Sequence, residues 1–111
     1  MTLLDKSKEY FTAFSEKNIE KLNSMFSEDV SLRDWDIEAT GIGSVLKANS
    51  NIFSSVETIV VIPTGLYCDR EQNTVIAEIE ILINGDEKIL VNDVLEFNKE
   101  GKIKSIRAYK G

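Results

Sequence analysis

The sequence contains no histidine, one cysteine and one proline. Without histidine there is no His-based catalytic triad and the commonest zinc ligand is missing. The lone cysteine, Cys68, excludes an internal disulfide and any multi-cysteine metal site. With no histidine to activate it, Cys68 is expected to be a small buried side chain near a strand end. Cations are also scarce: 13 Lys and Arg stand against 19 Asp and Glu. The resulting net charge of -6 repels phosphate backbones, and no basic and aromatic cluster offsets it, so nucleic acid is not an expected partner. No apolar run approaches the roughly 20 residues of a membrane span. The opening Met1-Thr2-Leu3-Leu4-Asp5-Lys6 has no long apolar leader segment either, so no membrane is expected as a partner and a cytoplasmic location is the default expectation. Acid-base chemistry must fall to Asp, Glu, Tyr or Lys, and neither a metal nor a cofactor is expected.

What is present suits one domain over residues 1–111: 42% apolar and 29% charged residues, with no linker, repeat or low-complexity tract. Thr2 and Asp5 make a capping pair ahead of Leu3, Leu4, Ser7, Tyr10, Phe11 and Phe14, which share about a third of a helix circumference. Asn18 can cap a second helix with Ile19, Leu22, Met25 and Phe26 on its buried face, ended by Ser27-Glu28-Asp29. The pattern then predicts a short strand from Val30, an irregular polar segment over residues 35–40, and a turn at Gly41-Ile42-Gly43-Ser44. A third helix carrying Val45, Leu46, Ile52 and Phe53 follows. From Val56 the texture becomes β-branched alternation, predicting an antiparallel meander of four segments: Val56 to Tyr67, Thr74 to Ile83, Lys88 to Phe97 and Lys102 to Tyr109. Asn84-Gly85 is a tight-hairpin signal, and Pro63 predicts a bulge or an edge.

Two carboxylates break this pattern. Successive strand side chains point to opposite faces, so Asp34 shares a face with Val30 and Leu32, and Asp93 with Val91, Leu95 and Phe97. An ionised carboxylate on an apolar face is costly unless it is paired, hydrogen-bonded or kept for chemistry. For Asp34 the plainer alternative is that the strand ends at Arg33 and a wet turn begins; both carboxylates could also sit solvated at a sheet rim. Tyr10 lies on the edge of a core-facing stripe, either filling the core or turning its hydroxyl to a polar partner. If Asp34 and Asp93 do face an apolar pocket, burial raises their pKa values, Asp93 most of all.

Helical hairpin, short strand, third helix and curved meander together resemble the nuclear transport factor 2-like superfamily, in particular its ketosteroid isomerase and SnoaL-like branch. The strongest pieces are Glu9-Tyr10-Phe11, the run Met25 to Asp34, and Asp93 to Phe97 leading into Gly101-Lys102-Ile103. The resemblance implies an α+β cone, in which a curved antiparallel sheet wraps around the N-terminal helices and encloses a pocket. It places Asp34 at the position of the isomerases' general base, and Tyr10 and Asp93 at those of the two oxyanion-hole donors. A carboxylate can shuttle a proton between carbons while neutral donors stabilise the developing oxyanion. Asn49 falls where the isomerases carry an auxiliary tyrosine, and Trp35 replaces the proline after the base. Trp35 either roofs the pocket or fills the cone mouth, and Phe14, Phe26, Asn49 and Phe53 join it as expected ligand contacts.

The resulting expectation is a pocket for a small apolar carbonyl compound, with allylic double-bond isomerisation as its chemistry. The alternatives are a non-catalytic binding or dimerisation module of the same fold, and a hydratase or epoxide hydrolase in which Asp34 activates water with help from Arg33 or Arg107. Ile76 and Leu82 beside Glu78 and Glu80, with Val94, Ile106 and Ala108 on neighbouring strands, predict an apolar outer sheet face and a homodimer through it.

Overall fold

In the computed structural model, which describes residues 1–111, helix α1 (Leu3–Ser15) begins at a reciprocal capping box. The Asp5 amide donates to Thr2 Oγ1 at 3.1 Å and the Thr2 amide to Asp5 Oδ2 at 3.3 Å. Helix α2 (Ile19–Met25) is capped by Asn18, whose Oδ1 accepts from the Lys21 amide at 3.0 Å. Strand β1 (Phe26–Arg33) follows without a break, so Phe26 opens the strand instead of closing the helix, and the segment Ser27-Glu28-Asp29 lies within it. A register irregularity between Phe26 and Ser31 accommodates those polar residues. Strand β2 (Glu38–Thr40) pairs with the end of β1 inside a segment whose polarity suggested only irregular chain. Helix α3 (Ile42–Ser55) starts after Gly41, whose φ of +91° suits a residue without a side chain.

Strands β3 (Ile59–Asp69), β4 (Thr74–Ile83), β5 (Glu87–Phe97) and β6 (Ile103–Lys110) form the antiparallel meander. Asn84 (φ +53°) and Gly85 (φ +76°) turn β4 into β5 with both residues left-handed, as a tight hairpin requires. Pro63 sits on β3, the edge strand, beside a register shift between Pro63 and Gly65 that bends it. The six strands run in the order β2-β1-β6-β5-β4-β3, and β1 lies parallel to β6. The meander is antiparallel as its pattern predicts, and the sheet as a whole is mixed because β1 joins it parallel to β6; alternation of side chains defines a strand's faces but not its neighbour or direction. Helix α1 packs on β3 and α3 on β1, giving an α+β cone around a core that includes Phe11, Leu22, Val30, Val45, Leu95 and Phe97.

Two further expectations are corrected. Ile106 is 2% exposed and, with Ala108, turns inward instead of onto the outer face. Between Phe97↔Ile103 and Glu96↔Ser105 strand β6 advances two residues while β5 advances one, and this bulge inverts the parity read from the sequence. Cys68 is exposed rather than buried, on the outermost strand where only β4 flanks it.

Candidate functional site

Between the helices and the concave face of the sheet lies a cavity of about 240 Å³, with 16 hydrophobic residues among the 20 that line it. Its floor follows from strand parity: Ile79, Ile81 and Ile83 of β4 share one face, joined by Ile89 and Val91 of β5. The volume is below the ~300–1,000 Å³ typical for drug-sized ligands, so the space suits a smaller molecule.

Asp93 projects from β5 between Ala77 of β4 and Ala108 of β6, its register partners. Two methyl side chains leave the carboxyl uncovered toward the cavity although it is only 7% exposed. Burial first, and the charge of Asp34 second, push the Asp93 carboxyl up to about 7. Tyr10, from α1, is 4% exposed; its ring packs against Phe11, Phe14 and Phe26 with centroids 5.4, 6.1 and 6.1 Å away. Burial, then the charge of Asp93, raises its hydroxyl well above the usual phenol range. Both groups thus favour their neutral, hydrogen-bond-donating forms.

Asp34 satisfies both sequence readings in part. The strand ends at Arg33, and the Asp34 amide donates to the Ile37 carbonyl at 2.9 Å to close the turn into β2. Its Oδ1 accepts from the amides of Asp36 at 2.7 Å and Ile37 at 2.6 Å, which orients the carboxylate on the cavity wall and leaves the second oxygen for other partners. Arg33 pairs with Arg107, one residue before Ala108, and Ala108 pairs with Asp93. The turn carrying Asp34 and the strand carrying Asp93 thus flank β6 on either side, near enough for the charge of Asp34 to act on the Asp93 carboxyl.

Of the other expected contacts, Phe14, Trp35 and Asn49 line the cavity, and Phe26 and Phe53 do not. Phe26 supports the Tyr10 ring from behind, and Phe53 packs edge-on against Phe14 with centroids 4.8 Å apart. Trp35 is 46% exposed, and the Lys110 ammonium lies 5.7 Å from its ring centroid. Asn49 is 1% exposed and its Oδ1 has no hydrogen-bond partner, a state that costs about 1–3 kcal/mol. The sequence reading missed Asp36, a third carboxylate on the wall, because its position there depends on the turn that Asp34 organises. No group of three or more acidic, cysteine or histidine side chains is arranged to hold a metal ion.

No protein-family model and no curated protein matches the sequence. Solved structures do match it. An NTF2-like protein of unknown function from Cytophaga hutchinsonii has a TM-score of 0.82 at 16% identity, covering 100% of this chain and 91% of that one. A protein with ketosteroid isomerase-like fold from Catenulispora acidiphila, in complex with trimethylamine, has a TM-score of 0.81 at 19% identity, covering 94% of this chain and 83% of that one. The epoxide hydrolase/cyclase-like enzyme SalBIII, with a role in pyran ring formation in polyether salinomycin, reaches 0.84 at 21% identity, covering 98% and 90%. The chain has the fold shared by NTF2-like, ketosteroid isomerase-like and SnoaL-like proteins.

Proposed function

We propose that the cavity binds a small, largely apolar molecule carrying a carbonyl or enol, and that the protein moves a double bond into conjugation with it. The carrying observation is that Tyr10 and Asp93, two buried groups that favour their neutral forms, line the same apolar cavity as an oriented Asp34 carboxylate. Asp34 takes a proton from the carbon between carbonyl and alkene, and Tyr10 and protonated Asp93 donate hydrogen bonds to the oxygen that becomes negative. Asp34 then returns the proton to the far carbon of the former alkene, so no proton is gained or lost overall.

A panel of β,γ-unsaturated ketones, from small cyclic enone precursors to steroids, tests this by the rise of conjugated-enone absorbance. Turnover is expected for the smaller members, given the cavity volume. It should fall as pH rises through about 7, where Asp93 loses the proton it donates with. Asp34→Asn keeps the shape and removes the base, so turnover is expected to drop by at least roughly a hundredfold while binding persists. An Asp34→Asn variant as active as the parent would remove Asp34 from the mechanism. No turnover across the panel, with binding retained, would instead support a binding module without chemistry.

A further inference from the structure

The cavity wall is rich in acceptors and empty of cations. Its polar members are Asp34, Asp36, Asp93, Asn49 and the Tyr10 hydroxyl, and no lysine or arginine lines it. Outside the lining, the Lys110 ammonium sits over the ring of Trp35. Asn49 lies on the same wall and is 1% exposed, its Oδ1 buried without a hydrogen-bond partner. A desolvated carboxylate on this wall calls for N–H donors and positive charge, and the isoleucine floor and the rings of Tyr10, Phe11 and Phe14 call for an apolar body.

We infer that the cavity binds small apolar ammonium ions, primary alkyl- or arylalkylammonium, with the charged head donating to Asp93 and the hydrocarbon lying on the isoleucine floor. Folding has already withdrawn the Asp93 carboxylate from water, so the pair adds only the desolvation of the ligand's own head. A carbonyl ligand accepts from protonated Asp93, whereas an ammonium donates to its ionised form, so the two ligand classes occupy one cavity in opposite protonation states. The titratable groups that act on Asp93 are Tyr10 from α1 and Asp34 from the β1–β2 turn, with Asp36 on the same cavity wall; its strand neighbours Ala77 and Ala108 and the α3 residue Asn49 carry no charge. No lysine or arginine lines the cavity; a cation near its wall is Lys110, which lies over the Trp35 ring. The inference rests on the cavity and not on proton transfer, so it stands whether or not isomerisation is found.

Calorimetric titration of the full chain at about 150 mM salt with hexylammonium, hexan-1-ol and hexanoate separates charge from shape, since all three share a six-carbon body. At pH 8 the expected order is ammonium first, alcohol at least roughly tenfold weaker, carboxylate weakest. Hexylammonium is expected to weaken at least roughly tenfold between pH 8 and pH 5, because binding must then displace the Asp93 proton, while hexan-1-ol changes little. Asp93→Asn should remove both the preference and the pH dependence. Should that variant not fold, the carboxyl carbon-13 shift of Asp93 in the parent reads the same pairing, with saturating hexylammonium lowering its titration midpoint. Equal affinity for hexan-1-ol and hexylammonium at pH 8, an unmoved Asp93 midpoint, or no binding of any of the three overturns the inference.

Discussion

Asp93 is the residue at which stability and function pull against each other. Its folded pKa is raised from 3.8 to about 7, so the folded state holds the proton longer than the unfolded chain does. The stability linked to it is fully present below the unfolded value near pH 4 and is lost as pH rises through about 7. The shift corresponds to at most on the order of 4 kcal/mol. Asp93→Asn keeps the size and a donor without the ionisation. It is expected to raise the unfolding free energy by roughly 2–4 kcal/mol at pH 8 and by under about 1 kcal/mol at pH 4. Denaturant titrations at the two pH values check it. Destabilisation confined to pH 8 would mean that Asp93 is an ionised structural carboxylate, and its assignment as an oxyanion donor would fail.

Among the elements, α3 is held at its C-terminal end by a residue from another connection. Lys17, left-handed at φ +55° between α1 and α2, donates from Nζ to the carbonyls of Phe53 at 2.9 Å, Val56 at 2.7 Å and Glu57 at 2.9 Å. Carbonyls at a helix end have no partner within the helix, and a cation there also suits the helix dipole. Since α3 carries Asn49 and Ile52 into the cavity wall, this clamp supports the site as well as the fold. Lys17→Met keeps most of the apolar stem and is expected to cost about 1–3 kcal/mol in unfolding free energy, with Lys17→Arg recovering part of it. A Lys17→Met variant within about 0.5 kcal/mol of the parent would show that water serves these carbonyls equally well.

Across the whole molecule, the convex side of the sheet carries a row of exposed apolar side chains. Val60 and Ile62 of β3, Ile76 of β4, Leu90 of β5 and Tyr109 of β6 are each between 39% and 57% exposed. The inward turn of Ile106 and Ala108 reduces the patch read from the sequence without abolishing it. We propose a homodimer through this face, where Glu78, Glu80, Lys88 and Arg107 supply polar groups around the apolar ones. Light scattering at micromolar concentration is expected to give twice the 12.5 kDa chain mass. Leu90→Lys together with Ile76→Lys should return the monomer with an unchanged circular dichroism spectrum. A monomeric parent would sink the proposal.

Local backbone geometry made much of this readable from sequence. The caps at Thr2 and Asn18, the left-handed Asn84-Gly85 turn, the bend at Pro63 and the inward face shared by Val91, Asp93 and Leu95 each depend on residues within a few positions of one another. What required the tertiary structure depends on partners distant in the chain. Periodicity could not say that β1 lies parallel to β6, that a bulge in β6 turns Ile106 inward, or that Phe26 and Phe53 stand behind the cavity instead of lining it. Nor could it show that Ala77 and Ala108 flank Asp93, leaving its carboxyl open to the cavity yet shut away from bulk water. A single segment's pattern determines which side of an element is apolar; which side chains then meet, and how much space remains between them, is decided only when the whole chain packs.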